Sequence, residues 1–275
     1  MVRFLMLVWV ACLWTGCQEE APAEGAATQA RAVIPSADTL MPEKPLPFDT
    51  IPERYLLGQF DPAQDMLFEL ADPRFSAGSA LKQYVHRETQ AAFARMWEAA
   101  QAEGIELTIR SATRPFIYQK AIWEAKWNGQ RKVDGQDLRQ AVPDPKDRAL
   151  TILRYSSMPG TSRHHWGTDV DLNAFENSYF ASGQGLKVYQ WLQTHAADFG
   201  FCQVYSPKGP DRPHGYEEEK WHWSYLPLAD RYLKSYAALI TPDQITGFDG
   251  AEVAAELQVI ERYVMGINPA CRGGE

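Results

Sequence analysis

The stretch that decides the site and much of the fold reads SRHHWGTDVD, residues 162–171. It places two imidazoles and two carboxylates around one glycine, just before an apolar segment typical of a strand. Histidine and aspartate side chains held together usually share a proton or a metal ion. A second segment, EKWHW at 219–223, offers a further carboxylate and a further imidazole. Together the two segments predict a zinc site.

The spacing of the candidate ligands suits such a site only if the chain bends. A catalytic zinc takes three protein ligands and leaves one position open, and His164, Asp171 and His222 would supply two nitrogens and one oxygen. On a straight strand His164 and Asp171 would point to opposite faces. Gly167 can interrupt the strand, so that His164 lies in a loop and Asp171 on a strand over 168–172. The same spacing is also compatible with a histidine whose hydrogen bonds are satisfied within the protein, beside an aspartate that faces solvent.

Two further residues suit hydrolytic chemistry. Glu219 lies three residues before His222, where a carboxylate could take a proton from water and return it to a leaving amine. The alternative interpretation is that Glu219 is a surface residue of the acidic run 217–219. Arg114 stands between a predicted strand and a predicted helix and could stabilise an oxyanion. The alternative interpretation is that Arg114 forms an ion pair at the surface.

Composition limits the classes of protein that need be considered. The chain has 275 residues, 45% of them hydrophobic, a net charge of -8 and an isoelectric point near 5.3. An acidic chain lacks the basic face that nucleic-acid binding requires, so no nucleic-acid partner is expected. No internal repeat and no second linker are found, which favours one domain.

The N-terminal region has the composition of an export signal. A single arginine precedes a short apolar run, and residues 1–16 are interpreted as a lipoprotein-like signal peptide. Cys17 would then carry the lipid that anchors the protein to a membrane; plain cleavage nearby, with Cys17 incidental, is the alternative. Residues 17–49, rich in Ala, Pro, Glu and Thr, predict a flexible tether. The catalytic domain would span 50–275, in the periplasm or cell envelope.

Two cysteines remain after the signal and the anchor are set aside. Cys202 and Cys271 would form a disulfide in an oxidising compartment. Two unpaired thiols are the alternative.

The spacing of apolar residues predicts several of the helices and strands. Apolar residues at helical spacing predict helices over 87–103 and 250–265, and Pro115 favours the first turn of a helix that ends near 128. Alternation over 105–110 predicts a half-buried strand. Helices and strands mix without regular alternation, which favours an α+β fold.

The motifs resemble those of a known family. SxHxxGxxxD at 162–171, followed by ExWH at 219–222, resembles the signature pair of the VanY-type D-alanyl-D-alanine carboxypeptidases. These belong to a wider group of zinc peptidases that includes lysostaphin-type enzymes and the hedgehog signalling domain. SATR at 111–114 with Gln119 resembles the family's Ser-x-x-Arg…Gln element. The resemblance covers roughly residues 80–227.

The resemblance implies a fold and a role for each matched residue. The fold would be a single hedgehog- or D,D-peptidase-like α+β domain, with a small central antiparallel sheet flanked by helices. The implied roles are zinc binding by His164, Asp171 and His222, proton transfer by Glu219, polarisation of the scissile carbonyl by Arg114, and substrate binding by Ser162 and Gln119.

The implied function is hydrolysis of the terminal D-Ala-D-Ala bond of peptidoglycan stem peptides, with Glu219 activating a zinc-bound water. An L,D-carboxypeptidase, a D,D-dipeptidase or a cross-link endopeptidase could use the same site. A non-catalytic, zinc-containing cell-wall-binding module is a further alternative. Asp169 departs from the pattern, because the family commonly has a small residue there. It could orient a ligand, compete as a ligand or face solvent.

Overall fold

The structure is a computed structural model, and it describes residues 50–273. The expected signal peptide (1–16), the tether (17–49) and the proposed lipid site at Cys17 lie outside the described residues. Within 50–273, no helix is both long enough and apolar enough to cross a bilayer.

The described residues contain six short strands and seven α-helices. The strands are β1 (Phe68–Leu70), β2 (Tyr84–His86), β3 (Ile109–Ser111), β4 (Asp169–Leu172), β5 (Phe201–Gln203) and β6 (His222–Tyr225). The helices are α1 (Glu53–Leu56), α2 (Arg87–Ala102), α3 (Phe116–Trp127), α4 (Leu138–Ala141), α5 (Pro145–Ile152), α6 (Gly183–His195) and α7 (Leu226–Leu239). The predicted helices over 87–103 and 115–128 are confirmed as α2 and α3.

The strands form two antiparallel sheets. The larger has the order β3-β4-β6-β5, and β1 pairs with β2 separately. This arrangement confirms the expected α+β fold with a small antiparallel sheet.

The two faces of the larger sheet differ in chemistry, because side chains alternate along a strand. On β4, Val170 and Leu172 face one way, into a hydrophobic cluster shared with α2 and α6. Asp169 and Asp171 face the other way, and the register sets Asp171 opposite His222 on β6. One face is therefore core, and the other carries the polar groups of the predicted site.

The predicted strand over 105–110 is wrong in its extent. Pairing begins only at Ile109, opposite Leu172, and a register irregularity then sets Ser111 opposite Asp171. A bulge of this kind re-aims the following side chain. Ile109 thus packs in the core, whereas Ser111 lies on the polar face beside the predicted ligands.

The predicted helix over 250–265 is also wrong. A 3-10 turn at Ala251–Val253 and a π-helical turn at Ile260–Val264 replace it, and Gln258 between them has a φ of 50°. A continuous helix cannot pass through a residue in the left-handed region. The apolar positions that suggested the helix are nonetheless buried, in a second hydrophobic cluster that also includes side chains of α3, α5 and α7.

The two cysteines of the domain are paired. Cys202 on β5 and Cys271 form a disulfide across 69 residues of chain. The alternative of two unpaired thiols is therefore wrong for this structure. The bond ties the C-terminal segment to the edge strand of the larger sheet, β5.

Candidate metal centre

Gly167 shapes the turn that places His164. A 3-10 helix at Arg163–Trp166 ends at this glycine, whose φ is 71°. A side chain there would also clash, since a Cβ would lie 2.4 Å from a ring carbon of Phe68. The turn leaves His164 before the strand while Asp171 lies on β4, which is the separation that the sequence predicts from Gly167.

His164, Asp171 and His222 come together as a buried cluster whose candidate ligand atoms all lie within 4.8 Å of one another. Nε2 of His164 is 3.3 Å, and Nδ1 of His222 is 3.5 Å, from Oδ1 of Asp171. Nε2 of His164 and Oδ1 of Asp171 have no hydrogen-bond partner among the described residues. Unpaired buried polar atoms are rare, and a metal ion would satisfy both. Two imidazoles and one carboxylate fit a catalytic zinc.

Each imidazole is oriented by a hydrogen bond on its far side, as is usual for histidine ligands. Nδ1 of His164 donates to the carbonyl of Ala112 at 2.9 Å, which leaves Nε2 to face the cluster. Nε2 of His222 donates to Oδ2 of Asp169 at 2.8 Å, which leaves Nδ1 to face it. The two rings therefore present different nitrogens to the same point.

Asp169 orients a ligand rather than competing as one or facing solvent. Besides His222, its carboxylate accepts from Nε of Arg163 at 2.9 Å. Its other oxygen accepts from the hydroxyls of Thr168 and Ser224 at 2.7 and 2.6 Å. All of these groups are buried.

The electrostatics of the metal-free cluster give one neutral imidazole, one ionised carboxylate and one protonated imidazole. Burial, aided by Arg114, lowers the pKa of His164 and keeps it neutral. Burial would raise the pKa of Asp171, but His164 and His222 lower it to about 2. Burial would lower the pKa of His222, but the hydrogen bonds that its ring donates to Asp169 and Glu219 raise it to about 9. The carboxylate is thus ionised, and His222 holds a proton that a metal would displace.

Glu219 lies beside the cluster and at the cavity wall. It is 6% exposed, and its Oε2 is 3.1 Å from Nδ1 of His222. Burial raises the pKa of Glu219, although His222 opposes the shift. A carboxylate with a raised pKa suits a general base. The alternative of a surface glutamate is wrong for this structure.

Arg114 is held by its backbone against the ligand-bearing turn. Its amide donates to the carbonyl of His164 at 2.9 Å, and its own carbonyl accepts from Nδ1 of His165 at 2.5 Å. His165 is buried and points away from the cluster, and burial lowers its pKa to about 3. The Arg114 side chain lines the cavity and makes no ion pair among the described residues. The surface ion pair is therefore not formed.

The cavity beside the cluster has a volume of about 580 Å³. Polar and aromatic side chains line it around Asp171, Glu219 and Arg114. The other lining residues are Ser79, Ser111, Tyr118, Ile122, Lys126, Arg131, Tyr155, Ser156, Phe175, Glu176, Asn177 and Trp221.

Ser162 and Gln119 are not among the residues that line the cavity, and their substrate-binding roles stay a prediction. Both side chains are 1% exposed. Gln119 instead donates to the carbonyl of Ser157 at 2.8 Å. The reason is the helical phase of α3, on which Gln119 shares the buried stripe of Trp123 and Trp127.

The neighbouring stripe of α3 faces the cavity and was missed from the sequence. Tyr118, Ile122 and Lys126 follow Arg114 at intervals of four residues, and all four line the cavity. That spacing places residues on one helix face. Helical phase within α3 therefore places Lys126 on the same face as Tyr118 and Ile122.

The buried His–Asp–His cluster offers the ligand set of a catalytic zinc site. The sequence profile of the VanY family, described as D-alanyl-D-alanine carboxypeptidase, matches residues 82–228. The match covers more than half of the 275 residues, and the chain therefore belongs to the VanY family.

Individual relatives agree with this assignment. The Bacillus subtilis (strain 168) protein YodJ is 31% identical over 179 residues, which span 62% of this chain and 56% of that protein. A D-alanyl-D-alanine carboxypeptidase of Enterococcus faecalis (strain ATCC 700802 / V583) is 31% identical over 131 residues, 48% of this chain and 44% of that protein. The chain thus spans about half the length of these two relatives.

A solved structure is similar at lower identity. It is a variant of the vancomycin-resistance D,D-pentapeptidase VanY in complex with Zn(II), at 23% identity and a TM-score of 0.46. The likeness covers 72% of this chain and 94% of that one. The family assignment rests on the sequence profile.

Proposed function

We propose that the protein is a zinc-dependent carboxypeptidase that hydrolyses the terminal D-Ala-D-Ala bond of peptidoglycan stem peptides. One observation carries the proposal: the buried cluster of His164, Asp171 and His222 meets, through Asp171, a cavity that Glu219 and Arg114 also line. Membership of the VanY family supports the choice of substrate. The family relationship and the N-terminal sequence together also support an exported protein that meets its substrate in the cell envelope.

Each residue has a separate task in this proposal. His164, Asp171 and His222 hold the zinc ion, which when bound supplies Lewis acidity and makes water easier to deprotonate. Glu219 takes the proton from the attacking water and later gives it to the departing amine. Arg114 donates to the oxygen of the scissile carbonyl, where negative charge develops. The guanidinium is free for this because it makes no ion pair among the described residues.

The test is a mass-spectrometric assay of purified, zinc-loaded protein with a synthetic stem pentapeptide ending in D-Ala-D-Ala. Loss of one alanine that stops in the presence of chelator is the expected result. Loss of the alanine from a tetrapeptide instead would assign an L,D-carboxypeptidase, and release of cross-linked fragments from intact sacculi would assign an endopeptidase. Unchanged peptides and unchanged sacculi would contradict the proposal and support a binding module.

A further inference from the structure

The segment that carries Glu219 is held on both sides by one side chain from a distant part of the chain. Nδ2 of Asn177 donates to the carbonyl of Glu218 at 2.8 Å, and Oδ1 of Asn177 accepts from the amide of Lys220 at 3.0 Å. The two bonds lie directly before and directly after Glu219 in the sequence. This pair of bonds, the Asn177 clamp, therefore fixes the backbone around Glu219.

Asn177 is itself anchored to the core of the domain. The amide of Phe180 donates to the carbonyl of Asn177 at 3.1 Å, and the Phe180 side chain is fully buried in the hydrophobic cluster shared with α2 and α6. The turn over 177–180 is thus fastened to packed side chains. A support that is itself fixed by packing can hold a functional group to a defined position.

The side chain of Glu219 has a weaker hold on its own position. Its hydrogen bond within the described residues runs to Nδ1 of His222, at 3.1 Å, and this nitrogen faces the candidate metal position. A metal ion bound to Nδ1 would displace the proton that the contact requires. The position of the Glu219 carboxylate would then depend on its backbone.

We propose that Asn177 is a positioning residue, which holds the backbone around Glu219 so that the carboxylate stays beside the cluster and at the cavity wall. The proposal rests on the proton-transfer role proposed above for Glu219. Asn177 also lines the cavity, but its oxygen and its amide nitrogen are already bonded to backbone groups. It therefore acts through Glu219. Displacement of a catalytic group by about 1 Å can lower a rate about a hundredfold.

The kinetic test is a double-mutant cycle on zinc-loaded protein with the stem pentapeptide. Asn177→Ala should lower kcat about ten- to a hundredfold and change KM by less than about twofold, because the substrate keeps its own contacts. In the Glu219→Gln background the same substitution should lower the residual kcat by less than about twofold, since residues that act as a unit are not additive. A residue that only supported the fold would lower kcat by the same factor in both backgrounds.

Hydrogen exchange of the Lys220 amide tests the clamp without any use of peptidase activity. Within residues 50–273, Oδ1 of Asn177 is the only acceptor for this amide. Its exchange should therefore be severalfold faster in Asn177→Ala than in the wild type. The amide of Leu172, which donates to the carbonyl of Trp221 at 2.8 Å, should exchange at the same rate in both proteins.

A neighbouring residue supplies a matched control. Ser178 is exposed and does not line the cavity, so Ser178→Ala should change neither kcat nor the exchange of the Lys220 amide. Asn177→Ser serves as the second variant should Asn177→Ala fail to fold, because its one hydroxyl cannot make both bonds of the clamp.

The outcomes separate this inference from the proposed function. An unchanged kcat in Asn177→Ala, or an equal fall of kcat in the Glu219→Gln background, overturns the positioning role even if the wild-type protein trims the pentapeptide. Unchanged exchange of the Lys220 amide overturns the clamp itself. A wild-type protein that trims no peptide removes the proposed function and with it the positioning role, whereas faster exchange in Asn177→Ala would still support the clamp.

Discussion

Asp169 and His222 form a buried hydrogen bond of 2.8 Å on the side of the imidazole that faces away from Asp171. The bond fixes which ring nitrogen points at the candidate metal position. Asp169 also neutralises Arg163, which is 1% exposed, so a single carboxylate holds a candidate ligand and a buried cation together.

We expect Asp169→Asn to weaken both zinc binding and the fold. Loss of a group that orients a metal ligand typically lowers affinity about ten- to a hundredfold. Stranding Arg163 in the interior should lower the free energy of unfolding by about 3–5 kcal/mol. Zinc titration and urea unfolding measure the two effects. Thr168→Val, which removes one donor to the same carboxylate, should lower stability by only about 1 kcal/mol; equal effects of the two variants would contradict the assigned role of Asp169.

Glu219→Gln should separate catalysis from metal binding. The amide cannot take a proton, so kcat should fall roughly a hundred- to ten-thousandfold, while His164, Asp171 and His222 still hold zinc. Peptide turnover and the zinc content of the purified protein are the measurements. Glu218→Gln is the control, because this neighbour does not line the cavity. Near-normal turnover in Glu219→Gln would rule out the proton-transfer role.

Zinc should stabilise the metal-free protein. At a zinc concentration about a hundredfold above Kd, binding adds about 2.7 kcal/mol, which corresponds to a rise in Tm of about 5–10 °C for a domain of this size. His164→Ala should abolish the rise, whereas His214→Ala, in an exposed loop, should keep it. The ligand assignment fails if His164→Ala responds to zinc as the wild type does.

Removal of the disulfide should cost stability without changing the site. Loop-closure entropy for 69 residues corresponds to about 4 kcal/mol, so Cys202→Ser with Cys271→Ser should unfold at markedly lower urea concentration. Turnover measured below the transition should remain within about twofold of the wild type, because neither cysteine lines the cavity. A large fall in kcat of the folded variant would show that the bond positions the catalytic residues.

The sequence predicted the parts of this structure that depend on residue type and local spacing. A glycine between a histidine and an aspartate anticipated the turn before β4, helical periodicity located α2, and Pro115 located the start of α3. The sequence left three roles open for Asp169. The folded chain decides for the ligand-orienting role, because it places Arg163 and Ser224 around the carboxylate.

The failures arose where tertiary packing decides. Val253, Leu257, Ile260 and Val264 fit a helical stripe, yet they are buried equally well by two separate turns joined through Gln258. Gln119 matched a motif, and its side chain lies on the stripe of α3 that packs inward; its role in substrate binding stays a prediction.

The backbone bonds that join Arg114 to the 164–165 turn have a final consequence. The amide of Arg114 and the carbonyls of Ala112 and Arg114 are all bonded to His164 or His165, so the arginine and a candidate zinc ligand rest on one rigid frame. The distance between Arg114 and His164 is therefore fixed when the protein folds, and it does not depend on binding of the peptide. In the proposed mechanism, little of the substrate's binding energy then has to go into bringing Arg114 and the zinc site together, and more is left to lower the barrier.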